Sequence, residues 1–232
     1  MNILDVLFPR RCPLCDEVIA PDRELCPGCT GKVELVKEPV CKQCGKPMEN
    51  DRKEYCGDCG RKKHSFDVGK AVFVYQGALQ RSLYRFKYAN RREYAAFYGK
   101  AAYEQYGRWI SMLGIEAIIP VPLHRKRRRE RGYNQAELFA EEIGRRTGIP
   151  VEKKLLIRCI NTRPQKELDD RERKKNLKKA FIFAQNIVQL RKVLLVDDIY
   201  TTGSTVDAAA ECLKKSGIQK VYVLCISIGR GH

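Results

Sequence analysis

The chain has 232 residues and a formal net charge of +17, with 45 Lys and Arg against 28 Asp and Glu. This length holds one ordinary domain and one small one, and no apolar stretch reaches the ~20 residues that a membrane-spanning helix needs. The apolar start from Met1 to Phe8 contains Asp5 and leads directly into a cysteine motif, so it does not resemble a secretion signal. We therefore expect a cytoplasmic protein.

Cysteine pairs dominate the first 60 residues. Eight of the eleven cysteines form four C-x-x-C pairs: Cys12/Cys15, Cys26/Cys29, Cys41/Cys44 and Cys56/Cys59. Two such pairs supply the four thiolates of one tetrahedral zinc site, which is favoured over disulfides in a chain without an export signal. Sequential pairing would form a double zinc ribbon and interleaved pairing a cross-brace; we favour the sequential arrangement. Because eight cysteines already fill two sites, we expect His64 at the surface.

Composition divides the chain in two. We assign residues 1–65 to a double zinc-ribbon domain, whose two zinc ions are structural because so few large apolar side chains cannot stabilise it alone. This segment holds 12 Lys and Arg against 11 Asp and Glu, so nearly all of the positive excess lies in residues 66–232. Such an excess favours polyanionic partners: nucleic acid, an acidic membrane surface or diphosphate ligands.

Strand and helix patterns alternate in residues 66–232. Short apolar runs predict strands at 68–75, 117–122, 155–159, 180–183, 193–196 and 221–226, and helical spacing predicts helices from 79 and over 91–113, 133–146 and 206–213. This alternation predicts a mostly parallel α/β sheet, whose ligands bind at the carboxyl ends of its strands. The aromatic residues of 84–106 have helical spacing, and we assign most of them to the core.

The run from Val193 to Thr205 carries the clearest functional pattern. A buried strand leads into Asp197 and Asp198, and a hydroxyl-rich turn then opens a helix; the turn comprises Thr201, Thr202, Gly203, Ser204 and Thr205. Backbone N–H groups and hydroxyls at a helix N-terminus suit a phosphate. The carboxylates can instead accept hydrogen bonds from sugar hydroxyls, so we predict a phosphorylated ribose as ligand. The run resembles the phosphoribosyl-diphosphate (PRPP) motif of type I phosphoribosyltransferases.

Two basic segments follow predicted strands. Residues 123–135 include five consecutive cations and are expected to lie as a loop over Asp197 and Asp198, where guanidinium groups suit diphosphate oxygens. The surplus of cations favours a nucleic-acid backbone as a second polyanion, bound by Arg127, Arg128, Arg129 and Arg131; a solvated charged turn is the alternative. Residues 163–179 are long, charged and poor in apolar side chains, which predicts a mobile lid.

The blocks together resemble the ComF family of bacterial competence proteins. The resemblance rests on the four C-x-x-C pairs, on Pro-Val-Pro-Leu-His at 120–124, on Arg-Gly-Tyr-Asn-Gln at 131–135, and on the order of these blocks before the 193–205 run. It implies that Asp197 and Asp198 meet the ribose hydroxyls and that residues 201–205 hold the 5′-phosphate. It also implies a diphosphate loop with His124, Arg125 and Lys126, and a flexible loop with Gln165 and Arg173.

The resemblance also implies ligands and partners. These are PRPP with Mg²⁺, single-stranded DNA and, in some bacteria, a helicase/translocase partner in natural transformation. The location would be the cytoplasm, either free or at the membrane DNA-uptake machinery.

Three functions are compatible with these patterns. The first is a PRPP-binding competence protein that handles internalised single-stranded DNA, and the second is a phosphoribosyltransferase acting on an unidentified base or amine. The third is a zinc-ribbon adaptor without a ligand, which the intact 197–205 residues disfavour. Cations and carboxylates are present for transfer from PRPP, but no segment predicts an acceptor pocket and no catalytic residue is assigned. We favour the first function, with PRPP and DNA competing for the arginine-rich segment.

Overall fold

The computed structural model describes residues 9–159, 180–184 and 189–230. Its strands are β1 (Val68–Val74), β2 (Ala117–Pro120), β3 (Leu156–Arg158), β4 (Phe181–Phe183), β5 (Lys192–Tyr200) and β6 (Lys220–Ile228). Its helices are α1 (Gly57–Arg61), α2 (Gly77–Tyr88), α3 (Tyr94–Leu113), α4 (Arg125–Arg131), α5 (Gln135–Thr147) and α6 (Ser204–Lys215), and a 3₁₀ turn covers Pro27–Cys29. No helix within these described ranges combines the length and apolarity needed to cross a membrane.

The main sheet has the order β1-β6-β5-β2, and every neighbouring pair is parallel. Strand β5 lies inside the sheet, and the side chains of its residues 193–196 are fully buried. A continuous apolar run is typical of such a strand because helices cover both faces of a parallel sheet. One face packs against α2, α3 and α5, and the other packs against α6 and the second half of the cysteine-rich segment. The predicted fold class, a mostly parallel α/β sheet preceded by a cysteine-rich segment, is confirmed.

Two local predictions differ from the structure. Strands β3 and β4 pair with each other in an antiparallel fashion, outside the main sheet. Residues 125–131, expected in a loop, form the helix α4, since arginine, lysine and glutamate are good helix formers. The ring of His124 caps this helix by accepting a hydrogen bond from the Lys126 backbone N–H at 3.3 Å, and Gly132 ends it with a φ of 76°.

The segment between the second and third cysteine pairs extends the main sheet. Its backbone pairs antiparallel with β1 at Leu35 and Phe73. The Val36 N–H donates to the Val72 carbonyl and the Val74 N–H donates to the Glu34 carbonyl, both at 2.9 Å. This short stretch therefore covers the outer edge of β1.

The two halves of the cysteine-rich segment rest on different parts of the sheet domain. In the first half, Asp16 pairs with Arg91 at 2.7 Å and Glu24 pairs with Lys100 at 2.6 Å, which ties this half to α3 and the turn before it. In the second half, the Gln43 carbonyl accepts a hydrogen bond from the Gly69 N–H of β1 at 2.7 Å. The two halves therefore contact different elements of the sheet domain.

Candidate phosphate and zinc sites

The eight N-terminal cysteines form two clusters of four. One cluster holds Cys12, Cys15, Cys26 and Cys29, and the other holds Cys41, Cys44, Cys56 and Cys59; within each, the sulfur atoms lie within 4.8 Å of one another. This is the sequential pairing favoured from the sequence.

The sulfur spacing tests whether zinc fits these clusters. Two thiolates bound about 2.3 Å from one tetrahedral ion lie about 3.8 Å apart. The Cys15 and Cys26 sulfurs are separated by 3.5 Å, and the Cys44 and Cys56 sulfurs by 3.7 Å. Four thiolates in this geometry suit a structural Zn²⁺ with no open coordination position.

His64 is buried beside the second cluster, contrary to the surface position expected from the sequence. Only 1% of its side chain is exposed. Its Nε2 atom lies 3.4 Å from the Cys59 sulfur, and its Nδ1 atom lies 2.8 Å from an oxygen of Asp207 on α6. The imidazole thus joins the zinc cluster to the helix that follows residues 201–205. Sequence spacing could not reveal this role because the partner carboxylate is 143 residues away.

Residues 201–205, which we call the 201–205 loop, comprise the three-residue turn after β5 and the first two residues of α6. Thr201 and Thr202 are exposed, and Gly203 is the N-cap of α6, with a φ of 74°. The hydroxyls of Thr202 and Ser204 are 2.9 Å apart. The hydroxyl side chains of this loop, including that of Thr205, therefore lie at the N-terminus of a twelve-residue helix, where the sequence predicts a phosphate.

Gly203 permits the tight path of this loop. A Cβ atom at this position would lie 2.6 Å from Cζ of Tyr200, which is closer than side chains can approach. A side chain would also be strained at this positive φ. The loop therefore folds back over the Tyr200 ring.

The two carboxylates at the end of β5 face different surroundings. Side chains alternate between the faces of a strand, and Asp198 points to the α2 side, where its Oδ2 atom lies 2.9 Å from Nζ of Lys87. Both side chains are nearly buried, with 15% of Lys87 and 16% of Asp198 exposed. Lys87 was not predicted from the sequence, where it is one of many lysines in a stripe of aromatic residues.

Asp197 has a strongly altered acidity. Burial, and then the negative charge of Asp198, raise the pKa of Asp197 to about 7, while Lys87 and Arg158 act in the opposite direction. Arg158 on β3 is also close to Arg127 of α4: burial lowers the pKa of Arg158, and the Arg127 charge adds to this effect. The end of β5 thus brings together two acids and the Lys87 ammonium group of α2, and the charge of Arg158 on β3 also acts on Asp197. Arg158 is a second residue that sequence reasoning missed.

Helix α4 presents the predicted basic residues to this region in two groups. Arg125, Lys126 and Arg129 are exposed to solvent, and His124 is half-buried at the helix start. Arg128 forms a two-pronged pair with Glu137, at 2.6 and 3.0 Å. Part of the basic segment therefore fixes α4 against α5, while the rest faces outward. Gln165 and Arg173, predicted in a flexible loop, lie outside the described residues.

An exposed aromatic pair borders the same region. Tyr84 and Tyr88 on α2 are 65% and 59% exposed, and their ring centroids are 5.0 Å apart. The guanidinium carbon of Arg131 lies 5.0 Å from the Tyr88 ring centroid, and Arg131 also donates a hydrogen bond to the Tyr88 hydroxyl at 3.1 Å. The packing role predicted for most of these aromatic residues therefore does not extend to this pair.

Comparisons with known proteins match both parts of the chain. A family model described as a double zinc ribbon domain matches residues 3–60. Competence protein F of Haemophilus influenzae is 33% identical over 204 residues, which cover 86% of this chain and 88% of that protein. The DNA utilization protein YhgH of Salmonella typhimurium is 30% identical over 222 residues, covering 94% and 96%. Among solved structures, an adenine phosphoribosyltransferase is similar with a TM-score of 0.38 and 14% identity, over 72% of this chain and 82% of that one.

Proposed function

The chain belongs to the competence protein F (ComF) family, and from this premise we propose that it binds Mg²⁺-PRPP at the carboxyl end of β5 and handles internalised single-stranded DNA on the adjoining basic surface. One observation carries the proposal: the 201–205 loop, the acids Asp197 and Asp198 and the ammonium group of Lys87 lie at one end of β5, where the charge of Arg158 also acts on Asp197. This set combines donors for a phosphate, acceptors for sugar hydroxyls and positive charge for a diphosphate.

Each group has a role that follows from its chemistry. The N–H groups at the start of α6 and the hydroxyls of the 201–205 loop hold the 5′-phosphate. Asp197 and Asp198 accept hydrogen bonds from the ribose hydroxyls. His124, Arg125 and Lys126 at the start of α4 attract the diphosphate, whose charge Mg²⁺ partly neutralises when it is bound. Lys87, whose Nζ atom lies 2.9 Å from Asp198 Oδ2, holds that side chain in position.

The DNA part of the proposal rests on the outward face of α4 and on the exposed tyrosine pair. Exposed arginine and lysine side chains attract a phosphate backbone. Tyr84 and Tyr88 offer ring faces on which unpaired bases stack, as in proteins that bind single strands without sequence preference. Because α4 borders the PRPP site, the two polyanions compete for its cations.

An active phosphoribosyltransferase is the second candidate. The observation that favours it is the pKa of Asp197, about 7, which is the range in which a carboxyl group exchanges protons efficiently at neutral pH. Such an enzyme would transfer ribose 5-phosphate from PRPP to a base or amine and release diphosphate.

Titration calorimetry with Mg²⁺-PRPP tests the main proposal, with ribose 5-phosphate and diphosphate as comparison ligands. We expect the full ligand to bind more tightly than either fragment, and Asp197→Asn combined with Asp198→Asn to weaken this binding while two zinc ions remain bound. Equal affinity for diphosphate and for PRPP would contradict the assigned ribose site. Assaying the mixture for released diphosphate, with and without nucleobases or DNA, separates binding from transfer.

Competition with DNA tests the second part. We expect the affinity for a fluorescent single-stranded oligonucleotide to fall as salt rises, and to fall again when Mg²⁺-PRPP is added at constant ionic strength. An affinity that saturating Mg²⁺-PRPP leaves unchanged would show that the two ligands do not share α4.

A further inference from the structure

A single buried carboxylate joins the second cysteine cluster to the helix behind the 201–205 loop. Asp207 lies in the first turn of α6, and only 8% of the residue is exposed. Its Oδ2 atom accepts hydrogen bonds from Lys62 and from His64, the latter at 2.8 Å. Its Oδ1 atom accepts the Ser65 N–H at 2.9 Å. All three partners lie within six residues of Cys59, the last ligand of the second cluster. The first turn of α6 is therefore bound to the end of the second ribbon, the part of the cysteine-rich segment that carries Cys41 to Cys59.

A second set of contacts reaches the loop from the same side. The ring of Tyr200, over which Gly203 folds, meets the Phe66 ring edge-on with a centroid distance of 6.2 Å. Phe66 in turn lies 4.9 Å from the His64 ring. Tyr200, which precedes the 201–205 loop, and Asp207, which follows it, therefore both contact residues 62–66, just after the second cysteine cluster.

These contacts matter because an anion site made of backbone N–H groups depends on their direction. A shift of about 1 Å in supporting residues weakens such a site strongly. A carboxylate that accepts three hydrogen bonds is difficult to move, since removing it leaves the His64 ring N–H and the Ser65 backbone N–H without their acceptor. The first turn of α6 thus has its position set by the ribbon rather than by the sheet alone.

We propose that the second zinc ribbon holds the 201–205 loop in its ligand-binding shape, with Asp207 as the positioning residue. The zinc cluster orients His64 through Cys59, and His64, Lys62 and Ser65 orient Asp207. This inference rests on the proposed function, in which the loop binds the 5′-phosphate of PRPP.

The chain offers a matched control at the other end of the same helix. Asp67 also follows the second ribbon and also accepts three hydrogen bonds or ion pairs: from Lys214 at 2.8 Å, from Lys220 at 2.9 Å and from the Val221 N–H at 3.0 Å. It ties the C-terminal end of α6 and the start of β6, away from the 201–205 loop. Replacing Asp67 should therefore destabilise α6 without disturbing its first turn, which makes the variant a control for general loss of stability.

The experiment compares the full-length Asp207→Ala and Asp67→Ala variants by zinc analysis, thermal unfolding and calorimetry with Mg²⁺-PRPP. We expect both variants to keep two zinc ions and to unfold at lower temperature. Asp207→Ala should raise the Kd for Mg²⁺-PRPP by about tenfold or more, whereas Asp67→Ala should leave it within about twofold of the original protein. Equal changes in Kd for the two variants, or no change for Asp207→Ala, would overturn the proposal.

Hydrogen exchange separates this inference from the proposed function. If the original protein binds no PRPP, the proposed function fails, and the exchange rates of the amides of residues 201–206 still decide the positioning role. These amides should exchange faster in Asp207→Ala than in Asp67→Ala, and unchanged exchange would refute it. If Asp207→Ala does not fold, Asp207→Asn replaces it in the experiment. Asparagine keeps an oxygen that accepts the Ser65 N–H but removes the negative charge of the carboxylate, to which Lys62 and His64 donate. The same comparison of Kd and exchange then applies to that variant.

Discussion

Replacing Asp197 with asparagine is expected to stabilise the ligand-free protein at alkaline pH. The pKa of this half-buried carboxyl group is raised to about 7, from an ordinary value of 3.8, by desolvation and by the charge of Asp198. Because the folded state holds the proton more tightly than the unfolded state, this group's contribution to stability is fully present below about pH 4 and is lost as the pH rises through about 7. Asparagine does not ionise, so the stability of the variant does not fall when the pH rises through this range.

The magnitude follows from the difference between the two pKa values. Each pKa unit corresponds to about 1.4 kcal/mol, so the full difference amounts to about 4 kcal/mol at pH 8. Water still reaches part of the Asp197 side chain, which screens the charge. We therefore expect Asp197→Asn to raise the free energy of unfolding by about 1–3 kcal/mol at pH 8 and to leave it nearly unchanged at pH 4.

Urea unfolding at these two pH values, with free zinc held constant, measures the effect. Asp198→Asn is the control, since Asp198 is paired with the nearly buried Lys87. Its replacement leaves a cation without a partner and should destabilise the protein at pH 8, by about 1–3 kcal/mol. The two neighbouring variants thus have opposite expected signs. If Asp197→Asn destabilised the protein at pH 8 as much as Asp198→Asn, the assigned environment of Asp197 would be wrong.

Three further changes have distinct expected outcomes. Gly203→Ala should abolish most Mg²⁺-PRPP binding in calorimetry, because its Cβ would collide with Tyr200; unchanged affinity would contradict the tight path of the loop. Cys41→Ser should lower the zinc content measured by metal analysis from two ions to about one; retention of both ions would contradict the four-cysteine site. Tyr88→Ala should weaken oligonucleotide binding by about 1–3 kcal/mol, whereas Tyr103→Ala, an exposed tyrosine beside a different surface depression, should not. Equal losses for both tyrosines would argue against base stacking on α2.

Local patterns were sufficient to predict much of this architecture. The C-x-x-C pairs each bring two ligands together within a tight turn, so the zinc clusters depend on short-range geometry. Likewise, an apolar run followed by Asp197 and Asp198 places both acids at a strand end wherever that strand lies in the sheet. The fold class and the position of the 201–205 loop followed from such runs.

Contacts between distant residues could not be predicted in this way. Lys87 becomes part of the site only because α2 packs beside β5, and His64 is buried only because α6 brings Asp207 against the second ribbon. The helical state of residues 125–131 was also missed, because a charged run is compatible with both a solvated turn and a helix until its capping by His124 is known.

The stretch around Leu35 connects the cysteine-rich segment to the edge of the main sheet by backbone pairing with β1. By lying along β1 it shields a row of backbone groups that would otherwise invite pairing with another molecule. A truncated protein lacking its cysteine-rich part would expose that border and should self-associate, whatever its affinity for metabolites. The cysteine-rich segment is thus expected to limit self-association of the sheet domain in addition to binding metal.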